Sequence, residues 1–361
     1  MKKFISAIKQ KNIGCGYLYF YIHFIVEIVC FYYLTVITNG SRFVWLIPLL
    51  YDGLAFVPQS MLGYLSDKFP KLRLDFIGIF LLFISVIIFG FTDLNYLYSL
   101  IPICLGNCCL HISGAEVTLR NSNGRLSHSA IFVAGGSFGV ISGKLLATTN
   151  LPIYLLLILI LSLIPFTMLA STYNGERKEL EFNIHNKKIS PYLVILGAFF
   201  VVIIRGYIGY GIPTSWNKTI IQAVILYFTM GLGKALGGIL SDAFGVRKIA
   251  VISCLLSIPF LCFGDNLMII SLIGVMLFSM TMSITLGLLT SVLNNNPGLA
   301  FGITTIGLFI GTVPIFFIKI TNYVFNIGLI IGCSVVCALI LLAIISKEDK
   351  HDWFLFWRLF N

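Results

Sequence analysis

Runs of about 20 apolar residues return along the whole chain, and no other feature of the sequence limits its fold as strongly. A hydrocarbon layer roughly 30 Å thick is crossed by ~20 residues of helix rising 1.5 Å each. Twelve crossings are expected, at 14–38, 43–66, 74–92, 95–118, 127–148, 152–172, 191–211, 219–241, 248–264, 267–292, 298–319 and 322–345. The runs are continuously apolar and far longer than the ~10-residue alternating segments of a barrel strand. Composition agrees where it decides something: 58% of the 361 residues are apolar and 11% charged, against roughly 25% charged in soluble domains. The predicted fold class is an all-α membrane protein of twelve transmembrane helices. Residues 1–12 are lysine-rich and lead into a run too long for a cleaved signal and without a small-residue cleavage site, so the first span is expected to stay.

The basic residues orient the spans. If both termini lie on one side, that side holds Lys2, Lys3, Lys9, Lys11, Lys68, Lys71, Arg73, Arg120, Arg125, Arg177, Lys178, Lys187, Lys188, Arg247, Lys248, Lys347, Lys350 and Arg358. The other side keeps only Arg42, Lys218 and Lys319. Basic residues accumulate in cytoplasmic loops, so the first side is expected to be cytoplasmic, with the chain multi-pass in the inner or plasma membrane. The net charge of +10 is then a topology signal that also suits anionic lipid headgroups, and it carries no implication of nucleic-acid binding. The longest polar stretch, 173–190, is expected to be a cytoplasmic linker between a half at 1–172 and a half at 191–346. The tail, 347–361, with Trp353, Phe354, Phe356, Trp357 and Phe360 among charges, reads as a short interfacial helix or an unstructured end.

Two loops repeat. Gln59-Ser-Met-Leu-Gly63-Tyr-Leu-Ser-Asp67-Lys-Phe69 and Lys234-Ala-Leu-Gly-Gly238-Ile-Leu-Ser-Asp242-Ala-Phe244 stand 175 residues apart, each followed by a basic pair, Lys71 and Arg73 or Arg247 and Lys248. Gly135 and Gly139 recur as Gly307 and Gly311 at an offset of 172. A repeat at half the chain length is the residue of parallel duplication of a six-helix unit. The paired loops resemble the cytoplasmic signature G-x-L-[SA]-D-[RK]-x-G-[RK]-[RK] of the major facilitator superfamily, with Pro70 in place of a glycine in the first copy and Gly245 retained in the second. That resemblance implies two pseudo-symmetric six-helix halves, with Asp67 beside the start of the eleventh span at Asn296, Pro297 and Gly298, and Asp242 beside Ser127. Small residues permit close helix approach, and a carboxylate suits the positive start of a helix. Gly63, Asp67, Lys71, Arg73, Gly238, Asp242, Arg247 and Lys248 are therefore expected to form conformational latches on the cytoplasmic face.

Six charges fall inside spans: Glu27, Asp52, Glu116, Lys144, Arg205 and Lys234, with His23 and His111 beside them. Each isolated charge at mid-bilayer costs roughly 3 kcal/mol or more, and three acids against three bases suggest pairing inside the bundle. All lie on spans 1, 2, 4, 5, 7 or 8, which border the central cavity in the fold that the resemblance implies. Two readings fit Glu27 and Asp52: proton coupling, with His23 sharing a helix face with Glu27, or static pairing with Arg205 or Lys144. Arg205 and Lys234 are candidates for binding an anionic solute or for plain pairing. His111 suits a gate, a proton relay or simple packing. Glu116 reads as a partner of Arg120 or of the Asp67 loop. Lys144, and Gln59 at the depth of Lys234, complete the substrate-binding candidates.

The segments around His23, GNCCLHISG at Gly106 and AGGSFGVISG at Ala134 are similar to the fosmidomycin-resistance-type branch, although the span-4 arginine of drug:proton antiporters has no counterpart between Arg73 and Arg120. The nine cysteines read as small buried apolar residues. A Cys104, Cys108, His111 metal site has no fourth ligand in view, so neither metal nor cofactor is expected. The expected function is proton-coupled alternating-access transport of a small organic solute, with export the first reading. Proton symport of a small anion and a non-transporting sensor are the alternatives. Small solute, protons and lipid are the expected partners of a monomer, and no nucleophile elbow, paired-aspartate metal motif or phosphate loop points to an enzyme.

Overall fold

Inside hydrocarbon a peptide group has no partner except another peptide group, so each apolar run closes its hydrogen bonds within itself as a helix. The computed structural model describes residues 14–149, 151–173, 180, 182–318 and 322–347. In chain order the helices are α1 (Gly14–Thr38), α2 (Leu46–Phe56), α3 (Pro58–Lys68), α4 (Leu74–Phe91), α5 (Leu100–Arg120), α6 (Leu126–Ala147), α7 (Tyr154–Ser171), α8 (Pro191–Gly211), α9 (Ile220–Phe244), α10 (Val246–Cys262), α11 (Met268–Ser279), α12 (Thr281–Val292), α13 (Pro297–Thr312) and α14 (Tyr323–Ile344). The expected N-terminal lysines, Arg177, Lys178, Lys319 and the aromatic tail beyond Lys347 lie outside the described residues.

Ten of the helical rods are long and apolar enough to cross a membrane. The remaining two have local explanations. The second span is broken into α2 and α3 because Pro58 lacks an N–H and its ring crowds the Leu54 carbonyl, while Val57 between them keeps a helical backbone (φ −63°, ψ −44°). The ninth span, α10, has 17 residues, about 26 Å of rise, the short end of the spanning range. Apolar side chains such as Phe80 on α4, Leu161 on α7, Ile252 on α10 and Leu339 on α14 stay exposed, as a lipid-facing surface requires.

Glycine sets how closely the inner helices approach. Along α6, Gly135, Gly139 and Gly143 recur every fourth residue, and a Cβ at each would run into the carbonyls of Phe20, Phe24 and Ile28 of α1. On α13, Gly311 meets the Ile203 carbonyl of α8 in the same way, and Gly307 packs on Phe199 and Val202. Such backbone contact is how helices associate where lipid tails compete equally for apolar side chains.

The described part of the 173–190 stretch is no loose tether. Leu180, Phe182 and Ile184 are buried at every second position. The Asn186 N–H donates to the Ile344 carbonyl (2.8 Å), and the Ser346 N–H donates to the Ile184 carbonyl (2.9 Å). This strap fastens the chain to the end of α14.

The glycine stripe makes opposite predictions for two substitutions. Gly139→Ala places a methyl against α1 backbone that cannot yield, and a destabilisation of about 1–3 kcal/mol is expected after the smaller gain in helix propensity. Gly328→Ala on α14, where a Cβ meets nothing within 4 Å, keeps only the propensity gain. Thermal unfolding in detergent should show a lower midpoint for the first and an equal or higher one for the second.

Candidate functional site

A cavity of about 390 Å³ is enclosed by α1, α2, α5, α6, α8, α9, α12 and α13, with no lining residue from α4, α7, α10 or α14. It reaches toward the end of the bundle opposite Asp67 and Asp242, since Leu34, Pro48, Ile315 and Phe316 line it there.

One wall is built from helix spacing. His23 and Glu27 stand one turn apart on α1, and Asn107 and His111 one turn apart on α5, so each pair shares a face. His111 Nε2 lies 3.0 Å from Glu27 Oε1, and His23 Nε2 lies 3.7 Å from the same oxygen. The Asn107 amide donates to Glu27 Oε1 (3.2 Å) and to the Tyr51 hydroxyl (3.2 Å). His23 Nδ1 stands 2.9 Å from the Phe132 carbonyl, and Gln59 Nε2 stands 3.3 Å from His111 Nδ1 while donating to the Ala55 carbonyl at 2.8 Å. His111 Nε2 is within ion-pair distance of the carboxylate yet off the line of a hydrogen bond. Glu27 Oε2, Gln59 Oε1 and Asn107 Oδ1 are buried without a hydrogen-bond partner.

The α6 and α9 side of the lining is cationic. Lys234 donates to Ser137 Oγ (2.7 Å), and Lys144 donates to the Tyr227 hydroxyl (3.2 Å) while lying over the rings of Phe31 and Tyr227. Asp52 lines the cavity as well. The charge pairing expected from the balance of acids and bases does not form: among the described residues neither Glu27 nor Asp52 is in ion-pair contact with Lys144, Arg205 or Lys234. Glu27 meets imidazoles instead: His111 and His23 lie within 3.7 Å of Oε1, whereas Lys144 and Lys234 turn to Tyr227 and Ser137.

The structure therefore brings Glu27, His23 and His111 together, and sets Lys144, Lys234 and Asp52 on the same cavity. It leaves Arg205 and Gln59 off the lining: Gln59 supports His111 from behind, and Arg205 is buried with Nε unpartnered. The Cys104 thiol turns to the Tyr51 carbonyl (3.7 Å) rather than toward His111. Asn107 and Tyr227 were not among the expected site residues. Asn107 carried a signal, its position four residues before His111, whereas Tyr227 carried none beyond its place in an inner span.

At the far end the two loops cap helices. Asp67 accepts from the N–H groups of Gly298 (3.1 Å) and Leu299 (2.9 Å) at the start of α13. Asp242 accepts from Leu126 N (2.8 Å) and Ser127 N (2.9 Å) at the start of α6. Gly63 packs against Gly298, and Gly238 against Leu126 and Ala130, with no room for a Cβ at either. Arg120 bridges Asp67 (3.1 Å) and Glu116 (3.0 Å), and Ser66 also donates to Glu116. Of the basic residues of the loops, Arg73 pairs with Asp75 (2.7 Å), Arg247 donates to the Leu342 carbonyl (2.8 Å), and Lys71 and Lys248 are exposed.

Comparison with known proteins identifies the architecture. The human organic anion transporter MFSD10 (TETRAN) superposes with a TM-score of 0.64 at 12% identity, over 92% of this chain and 98% of that one. A variant of the E. coli fucose:proton symporter FucP gives 0.58 at 14% identity, over 91% of this chain and 98% of that one. FucP in its outward conformation, a major facilitator superfamily transporter, gives 0.55 at 13% identity over 89% and 98%. At these identities the likeness is one of fold, and this chain has the major facilitator fold. No family model and no curated protein sequence matches it.

The caps yield a test that does not depend on substrate. Each Asp satisfies two N–H groups at a helix start, so Asp67→Asn or Asp242→Asn should destabilise the closed end by about 1–2 kcal/mol. All native cysteines except half-buried Cys333 are buried, so a cysteine at Leu299 in a cysteine-free background should react faster with a polar thiol reagent in the Asp67→Asn chain. An unchanged labelling rate would show that the cap does not hold this end shut.

Proposed function

We propose that this chain is a secondary transporter of the major facilitator kind that carries a small organic anion together with a proton, by alternating access around the central cavity. One observation supports the reading above the others: Lys144 and Lys234 face the cavity and neither meets a carboxylate. An ammonium group withdrawn from water without an opposite charge is costly, and an arriving carboxylate, sulfonate or phosphate offsets that cost. Phe31, Tyr210 and Tyr227 offer flat apolar surface beside the two lysines, which suits an anion with an organic body. The comparison proteins are named as an organic anion transporter and a proton symporter, in keeping with this assignment.

Asp52 is the group we assign to the proton. It shares the cavity with both lysines, and when ionised it repels an entering anion. Protonation of Asp52 therefore strengthens anion binding, and by reciprocity the anion strengthens proton binding. Ligands that favour each other's binding travel in one direction. Export against a proton would need the two to compete, so the charge arrangement supports symport, the alternative raised from sequence, over export. Glu27, set between two imidazoles and an amide, is suited to a standing charge rather than one that comes and goes.

The contacts between helices support transport by rocking. In this conformation α3 packs on α13 and α6 on α9, closing the Asp67/Asp242 end, which the basic loops assign to the cytoplasm. Opening that end requires both carboxylates to release their helix starts, so the two caps contribute to stability in only one of the two states.

Proteoliposomes test the proposal. An inward acid gradient should drive accumulation of at least one member of a panel of aromatic and aliphatic carboxylates and sulfonates. A charge-assisted contact contributes about 1.5–3 kcal/mol, so Lys144→Met or Lys234→Met should raise KM by roughly 10–100-fold. Asp52→Asn should retain anion exchange and lose acid-driven accumulation. Anion flux unaltered in the double lysine variant would refute the assignment.

A further inference from the structure

The α1 and α5 side of the lining has a different chemistry, which anion transport does not use. We propose that His23, Glu27 and His111 bind one divalent transition-metal ion on the cavity wall. The ligand atoms of the three side chains lie within 4.8 Å of one another, and all three residues are buried and line the cavity.

The hydrogen-bond inventory of the cluster calls for a cation. The Phe132 carbonyl, 2.9 Å from His23 Nδ1, can only accept, so it fixes the ring proton on Nδ1 and leaves Nε2 as a bare lone pair. That lone pair faces Glu27 Oε1 at 3.7 Å, acceptor against acceptor. Glu27 Oε2, Asn107 Oδ1 and Gln59 Oε1 are buried beside it without a donor. Of the four buried atoms of the cluster without a hydrogen-bond partner, these three are acceptors, and the fourth, His111 Nε2, stands 3.0 Å from Glu27 Oε1. A divalent ion relieves the imidazole and the carboxylate together and engages His111 as well.

The surroundings are those of a metal ligand set. A ligating histidine characteristically donates its other ring N–H to a carbonyl, as His23 does, and the carboxylate is itself hydrogen-bonded, as Glu27 is by Asn107. For His111 the Gln59 amide now donates to the Ala55 carbonyl (2.8 Å) and stands 3.3 Å from Nδ1, so loading the ion requires that amide to leave Ala55 and offer Oε1 to Nδ1–H, which frees Nε2. Ligand atoms around a tetrahedral ion with ~2.0 Å bonds stand roughly 3.3 Å apart. The His111–Glu27 separation of 3.0 Å and the His23–Glu27 separation of 3.7 Å differ from that by a few tenths of an ångström. Gly136 packs against the His23 ring where any Cβ would strike Nε2, so the imidazole keeps its place only because that position is bare.

Two imidazoles and one carboxylate select a first-row ion such as zinc, cobalt or manganese over calcium or magnesium, which prefer all-oxygen sites. Three protein ligands leave a coordination position open to the cavity, for water or for a solute.

Titration of the purified, chelator-stripped chain with Co²⁺ alone, followed by Zn²⁺, tests the assignment. The expected result is one Co²⁺ per chain with a visible ligand-field spectrum that Zn²⁺ abolishes. His23→Ala, His111→Ala and Glu27→Gln should each weaken binding by about 100-fold or more, and Asn107→Ala by about 10-fold. His111→Cys keeps a ligand at the position and should retain the site, which separates lost coordination from lost folding. Radiolabelled zinc that accumulates in proteoliposomes identifies the ion as cargo, and zinc that stays on the protein identifies a resident ion; either result upholds the site. Absence of saturable one-per-chain binding, or binding indifferent to the two histidines, overturns it. Because the anion reading is tested at Lys144 and Lys234, failure of one proposal is distinguishable from failure of the other.

Discussion

A peptide group in hydrocarbon must find its partner in the same segment, and the rest of this structure depends on that constraint. It turns every apolar run into a helix, and then removes the hydrophobic effect as a reason for those helices to meet, because lipid is as apolar as leucine. Association has to come from backbone contact and from polar groups that prefer one another to lipid. Gly135, Gly139 and Gly143 supply the first between α1 and α6. The carboxylates of Asp67 and Asp242 supply the second, each reaching the exposed N–H groups at the start of α13 or α6. The same constraint that makes helices leaves their first turns unsatisfied, and those turns become the points of attachment.

Much of this was legible because membrane insertion writes itself into composition and period. The twelve runs, the loop repeated 175 residues on and the glycines at an offset of 172 are all local patterns, and each corresponds to a helix or a close approach in the structure. The break at Val57 was less visible, although Pro58 carries its cause. The strap at Leu180, Phe182 and Ile184 was hidden by its polar neighbours: alternation over so few residues says little until the end of α14 supplies the partner edge.

Pairing of the buried charges was the part sequence could not carry. Counting three acids against three bases treats the membrane interior as one compartment, but a buried charge responds only to groups within a few ångströms. Which groups those are depends on helix rotation. Glu27 turns toward α5 and meets His111 and Asn107, while Lys144 on α6 turns toward α9 and meets Tyr227. His23 and Glu27 were recognisable as a pair because four residues on one helix fix their relation. His111 joined them only through the packing of α1 on α5, for which no spacing rule exists.

The result is a cavity whose two sides are unbalanced in opposite senses. The α1 and α5 side has more acceptors than donors, and the α6 and α9 side has ammonium groups without carboxylates. Had the charged groups of the two sides met, they would have satisfied each other as a set of static ion pairs. Phe31, Tyr210, Tyr227 and Phe301 share the lining with the charged groups, and Lys144 lies over the rings of Phe31 and Tyr227. A separation of that kind is expensive in a medium of low dielectric, and a structural core gains nothing from it. It is the arrangement expected where each side is completed by something that arrives from outside, an anion for one and a cation for the other. Both sets of side chains line the one cavity, so both imbalances are addressed to whatever enters it.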